Sequence, residues 1–164
     1  MPALNFETVS LDEITQNGLT AEPSPHRPVI LVVDDERVIA DTLAAILARR
    51  GFAAMQAYDA ESALDLSRVI PPELLLSDVL LPGKSGIELA IAMKDAVPDC
   101  RVLLFSGQDT TVDLLAAARD AGHDITVLAK PVHPVDLLAN IRELDAKFRC
   151  EPPPELKARP PRFA

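Results

Sequence analysis

At 164 residues the chain has room for one compact domain plus tails. Hydrophobic residues make up 48% of it, aromatic ones only 4%, and there is no Trp, so the core must be built from Leu, Ile, Val and Ala. The net charge of −9 divides as −3 over residues 1–27, −8 over 28–148 and +2 over 149–164; this acidic body excludes direct nonspecific binding to nucleic acid or anionic lipid, which needs clustered Lys and Arg.

Two cysteines, Cys100 and Cys150, do not make a disulfide scaffold, and reduced thiols in a cytoplasmic protein are expected. The start, MPALNFETVSLDE, lacks the basic and apolar regions of a signal peptide. No apolar stretch reaches transmembrane length, so no membrane insertion is expected.

Residues 1–27 read as a polar leader ending in AEPSPHRP, where Pro23, Pro25 and Pro28 favour an extended linker. Ser10 to Glu13 has capping-box spacing and Gly18 could close a short helix. Two helical turns persist only if Leu11 and Ile14 dock on another surface; the alternative is a disordered leader. From residue 28 the pattern turns regular. Val29 to Val33 is a continuous apolar run, as in a buried parallel strand. Val38, Ile39, Leu43, Ile46 and Leu47 recur at helical spacing up to Gly51. Residues 52–57 predict a weaker second strand, and Ala60 to Val69 a helix stopped by Pro71 and Pro72. Leu74 to Ser77 is the third strand, LLPGKSG a loop, and Ile87 to Ala96 a helix ended by Pro98. Arg101 to Phe105 is the fourth strand, followed by a helix over Val112 to Ala121 with Gly122 as its cap. Ile125 to Ala129 is the fifth strand. Pro134 opens a last helix with the stripe Leu137, Leu138, Ile141, Leu144 and Phe148. Five alternating strand–helix units imply an α/β fold, a parallel sheet covered on both faces. The Pro-rich tail, residues 149–164 with EPPPELKARPPRFA from Glu151 onward, reads as solvated polyproline-like chain. It leaves no room for a second folded domain, so any output is expected to be intermolecular.

Chemistry gathers at the strand ends. Asp34 and Asp35 follow VILVV, Asp78 follows LLLS, Ser106 follows VLLF and Lys130 follows TVLA. In an open parallel sheet, ligands bind outside the carboxyl ends of the strands. Carboxylates there suit a hard divalent cation and a lysine suits an anion. Gly83-Lys84-Ser85-Gly86 lacks the spacing of a P-loop, and His26, His123 and His133 lack metal-ligand spacing.

In order along the chain, VVDDE, LLLSDVLLPGKSG, LLFSG and VLAKPV resemble the motifs of response-regulator receiver domains over roughly residues 28–148. The resemblance implies a flavodoxin-like (βα)5 doubly wound sheet with strand order 2-1-3-4-5. It implies Asp78 as the phosphorylated residue, with Lys130 and Ser106 acting on the phosphoryl group. Mg²⁺, or Mn²⁺ in its place, would be held by Asp34, Asp35, Asp78 and the main-chain carbonyl of Leu80. A cis bond before Pro131 is expected. The donor would be a histidine kinase or histidine phosphotransfer protein, and the output a downstream protein or a homodimer formed through the face of the fourth helix, fifth strand and last helix. The chain would be no enzyme apart from catalysing its own phosphorylation and dephosphorylation. Leu80 and Gln108 flank the position of the hydrolytic water and should set phosphate lifetime. Ser106 and the residue three before Lys130 form the switch; the family has an aromatic there and this chain has Val127, a departure that favours response through backbone and loop shifts.

Two other functions are set against this one. Aspartyl-phosphate phosphatases want a second Asp two residues after the nucleophile, where this chain has Leu80. A phosphate-independent interaction module would not need the full set of Asp34, Asp35, Asp78, Ser106 and Lys130, although Val127 is compatible with it.

Overall fold

Five short apolar runs become five strands: β1 (Val29–Val33), β2 (Ala53–Ala57), β3 (Leu74–Asp78), β4 (Arg101–Ser106) and β5 (Ile125–Ala129). Between and after them lie α1 (Arg37–Arg49), α2 (Ala60–Val69), α3 (Gly86–Ala96), α4 (Thr111–Asp120) and α5 (Pro134–Leu144). This computed structural model describes residues 26–107, 111–120, 122–123 and 125–144. The short leader helix, Gln108, Phe148, Cys150 and the Pro-rich tail lie outside the described residues.

All pairings are parallel and the order is β2-β1-β3-β4-β5, as expected. Side chains alternate across the sheet, so each strand feeds two cores. Leu31, Val33, Leu75, Val102 and Leu104 pack with Ala60 and Ala63 of α2, Leu89, Ala90 and Met93 of α3, and Ala118 of α4. Ile30, Val32, Leu74, Leu76, Leu103 and Phe105 pack with Ala40, Ala44 and Leu47 of α1, and Leu137, Leu138 and Ile141 of α5. β3, between two strands on each side, is buried along its whole length. The alanines allow the helices to lie close to the sheet in a chain with few aromatic residues.

β3 and β4 run one residue further than the apolar pattern predicts. Asp78 and Ser106 are the last residues of β3 and β4, not the first after them. The main-chain ladder explains this, because Asp78 and Ser106 still have in-register partners, Phe105 and Ala129.

Side-chain caps fix the starts of α2 and α3. Asp59 accepts the Ser62 amide at 2.7 Å and the Ser62 hydroxyl at 2.9 Å, and those bonds hold its carboxyl below the usual aspartate range. At α3, Ser85 accepts the Glu88 amide at 3.2 Å while Glu88 accepts the Ser85 amide at 2.7 Å, a complete capping box. Thus the GKSG stretch, which is no P-loop, is a helix start. Cys100 is fully buried, and burial pushes its thiol up to about 11, which makes it a small hydrophobe of the core.

Gly86 brings the start of α3 hard against the backbone at the end of β3. Its amide donates to the Val79 carbonyl at 2.8 Å. A Cβ at this position would collide with the Asp78 carbonyl oxygen and stand 2.9 Å from the Val79 Cα. Both obstacles are backbone at the end of β3 and cannot rotate away. Gly86→Ala is therefore expected to cost about 2–3 kcal/mol. A urea titration checks it, and a loss under about 0.5 kcal/mol would mean that α3 slides freely off β3.

Candidate functional site

The parallel sheet brings every carboxyl strand end to one pole, and main-chain bonds beyond the ladder lock those ends together. The Asp34 amide donates to Ala57 at 3.3 Å, the Val79 amide to Phe105 at 2.9 Å and the Lys130 amide to Ser106 at 2.8 Å. The side chains of Asp34, Asp35, Asp78 and Lys130 are assembled on this frame.

Carboxylate oxygens of Asp34, Asp35 and Asp78 lie within 4.8 Å of one another. Lys130 Nζ donates to Asp78 Oδ2 at 2.8 Å, reaching across β4 from β5 to β3. The other Asp78 oxygen accepts the Leu80 amide at 3.2 Å. Three carboxylates and one ammonium leave two formal negative charges in the cluster. Asp34 is 1% exposed; its Oδ1 accepts the Glu36 amide at 2.9 Å, whereas Oδ2 is buried without a hydrogen-bond partner. Burial, reinforced by the charges of Asp78 and Asp35, pushes its carboxyl above the ordinary aspartate value against the Glu36 bond and Lys130. For Lys130, burial pulls the pKa down, but the Asp78 bond and charge, with Asp34 and Glu36, outweigh it and hold the ammonium above the ordinary lysine value. A buried, unpartnered carboxylate oxygen in a cluster of charge −2 fits a hard oxygen-seeking dication.

Ser106, buried at the end of β4, donates its hydroxyl to the Gly107 carbonyl at 2.9 Å. Leu80 is 69% exposed at the rim. The Lys130–Pro131 bond is cis, as expected. Val127 is half-buried and packs against the core shared with α2, α3 and α4. Among the described residues His123 and His133 join no cluster of metal-ligating side chains; the His133 carbonyl accepts the Leu137 amide at 3.0 Å inside the first turn of α5. Two contributors escape a reading by residue type. The Leu80 amide anchors Asp78 by its main chain, and Gly86 sets the space behind the Asp78 carbonyl. The only sequence signal for either is the Ser-x-x-Glu box of Ser85 and Glu88, which marks where α3 begins.

A family model for the response regulator receiver domain matches residues 30–142. This chain belongs to that family. It is a module of two-component signal transduction, and phosphorelay signalling is the family's role. Among curated relatives it is similar to Response regulator MprA of Mycobacterium avium, 32% identical over 122 residues that cover 74% of this chain and 53% of that protein. The MprA of Mycolicibacterium vanbaalenii is 33% identical over 115 residues, covering 70% and 49%. The chain thus spans about half the length of the curated relatives it matches. Among solved structures, a CheY-like receiver domain protein from Methanospirillum hungatei superposes with a TM-score of 0.68 at 30% identity, over 74% of this chain and 97% of that one. The chemotaxis protein CheY4 of Vibrio cholerae, at 22% identity and a TM-score of 0.67 over 73% of this chain and 100% of that one, shares the fold. Among the described residues no helix is long and apolar enough to cross a membrane.

Since ionised Asp34 is disfavoured in the fold, its contribution to stability is greatest at low pH and is lost as pH rises through its raised folded value. In Asp34→Asn the amide would replace an unpartnered anionic oxygen with a donor beside two carboxylates. With a chelator present at pH 7, that variant is expected to be about 1 kcal/mol more stable, a rise on the order of 3 °C in Tm. The gain should shrink as pH falls and the wild-type carboxyl becomes neutral. Melts across pH 4–8 check this, and an equal or lower Tm at pH 7 would contradict it.

Proposed function

We propose that Asp78 accepts a phosphoryl group from a phosphohistidine of a histidine kinase or histidine phosphotransfer protein, in a Mg²⁺-dependent step, and that the phosphorylated chain signals by binding another protein. One observation supports this above others: Asp78 is held at 2.8 Å by Lys130 while its carboxylate faces those of Asp34 and Asp35. In this reading a carboxylate oxygen of Asp78 attacks phosphorus as the P–N bond to the donor imidazole breaks. The ring nitrogen keeps the bonding electrons and takes up a proton, and an acyl phosphate remains on Asp78.

Bound Mg²⁺, or Mn²⁺ in its place, would supply the positive charge that lets an anion approach three carboxylates. Asp35, Asp78 and the Leu80 main-chain carbonyl would hold it directly, with Asp34 close by or through a water. Lys130 would remain with the transferred phosphoryl oxygens, and the Ser106 hydroxyl would turn from Gly107 toward them. The exposed side chains of Val38, Leu80 and Val135 frame this same pole, a surface suited to a protein donor. Val127 offers no ring to rotate, so the face of α4, β5 and α5 would respond through its main chain, toward a downstream protein or a second copy.

The direct test is intact mass after incubation with Mg²⁺ and a small-molecule phosphodonor. Wild type should gain one phosphoryl group, Asp78→Asn none, and chelation should abolish the gain. Lys130→Ala should slow it on the order of 100-fold. No incorporation together with no Mg²⁺ binding would overturn the reading in favour of the phosphate-independent module.

The lifetime of the acyl phosphate is expected to depend on Leu80 and Gln108. An apolar side chain two residues after Asp78 cannot orient a water, so Leu80→Asn should speed hydrolysis by about tenfold and Gln108→Ala should slow it. Decay of the phosphorylated mass after donor removal measures both. Unchanged rates in the two variants would refute that dependence.

A further inference from the structure

Of the exposed large hydrophobic side chains, Val38, Leu80 and Val135 surround the acidic pole, but Val69 and Ile70 do not. They lie at the far end of α2, 79% and 46% exposed, and run on into exposed Pro71. Neither side chain belongs to either core cluster. The helix end is closed by the main chain, the Ile70 amide donating to Leu66 at 2.9 Å.

The N-terminal segment enters the domain beside this patch. Glu73, two residues after Pro71, accepts His26 Nε2 at 2.8 Å and the Val29 amide at 3.3 Å. Its own amide donates to the Val29 carbonyl at 2.9 Å, and its carbonyl accepts the Arg101 amide at 2.9 Å. Glu73 therefore clasps the entering chain to the starts of β1 and β4, at the pole opposite Asp78.

We propose that residues 10–19 of the leader dock in cis on Val69, Ile70 and Pro71. The segment offers Leu11, Ile14 and Leu19, the apolar residues its short capping-box pattern needs to bury. Leu19 and Ile14 precede His26 by 7 and 12 residues, which reach at most about 25 and 40 Å. With His26 fixed two to four residues from the patch through Glu73, the effective concentration of the leader there is high. Charge acts in the same direction. Asp12 and Glu13 would be repelled from the acidic pole, whereas this pole holds Arg49, Arg68 and Lys94 in the last turns of three helices, with Arg50 and Arg101, against Asp65, which pairs with Arg68 at 2.8 Å, Glu73, Asp95 and Asp99. A leader docked here leaves the face over Asp78 open. The proposal does not depend on Asp78 being phosphorylated.

Hydrogen exchange of the intact chain tests it. Residues 10–19 should exchange at least about tenfold more slowly than an unstructured peptide. The double variant Val69→Ser, Ile70→Ser should abolish that protection while β1 and β3 amides stay protected. Leu11→Ser with Ile14→Ser, which alters no residue of the folded domain, should do the same. Free-peptide exchange in wild type, protection that survives either double variant, or protection that disappears on dilution (docking on a second copy) would each overturn it.

Discussion

The ion pair between Lys130 and Asp78 spans a whole strand. β4 lies between β3 and β5, so the 2.8 Å contact exists only because three neighbouring strands end at the same height. A parallel sheet in register supplies that, and the bonds from Val79 to Phe105 and from Lys130 to Ser106 extend it beyond the last rung. The pair is partly withdrawn from water, with the lysine side chain 38% and the aspartate 12% exposed, so solvent screens it less than a surface pair. Without the lysine the cluster would hold three formal negative charges and no cation of its own. The geometry of the fold and the charge state of the site are therefore one constraint.

The same constraint gives the molecule two unlike poles. In βα units each helix starts where a strand has ended, so helix N-termini gather around Asp34, Asp35 and Asp78. Their partial positive charges favour anions there, and Glu61, Glu88, Asp113 and Asp136 occupy the first turns of α2 to α5. All five last turns carry a cation, Arg49, Arg68, Lys94, Arg119 and Arg142. Placing acidic residues for the sake of the helices thus builds a field that repels anions. Lys130 offsets that field beside Asp78, and the dication proposed for this site would offset it further.

Much of this is legible in the sequence because each strand is a continuous apolar run and each run ends in a residue of distinct chemistry. Asp34, Asp78, Ser106 and Lys130 needed no tertiary information to be noticed, only their place after VILVV, LLLS, VLLF and TVLA. The features that stay hidden depend on distances between segments. Gly86 looks like any loop glycine until α3 is seated on the Asp78 carbonyl. The unpartnered oxygen of Asp34 cannot be told from the exposed carboxylate of Asp35 beside it, since burial is set by the packing of β2 and α1 around the strand end. The clasp of His26 on Glu73 joins residues 47 positions apart, and a lone histidine before a Pro-rich turn gives no hint of it.

Val127 limits how a change at Asp78 can reach the outer edge of the sheet. Its half-buried side chain packs against the core cluster that includes Val102, Leu104 and Ala118, too short to exchange a buried for an exposed position across the strand. A ring could move there without disturbing the backbone; a valine cannot. Two contacts link the site to Lys130, which follows Ala129 of β5 directly in the chain: the main-chain bond of its amide to the Ser106 carbonyl and the ion pair of its ammonium with Asp78. Any rearrangement that draws Ser106 or Lys130 toward a phosphoryl group must therefore pull on the end of β5 itself. α5 begins four residues after Lys130 and is bonded from its first turn to the His133 carbonyl, so that displacement is delivered to a helix rather than absorbed in a loose loop.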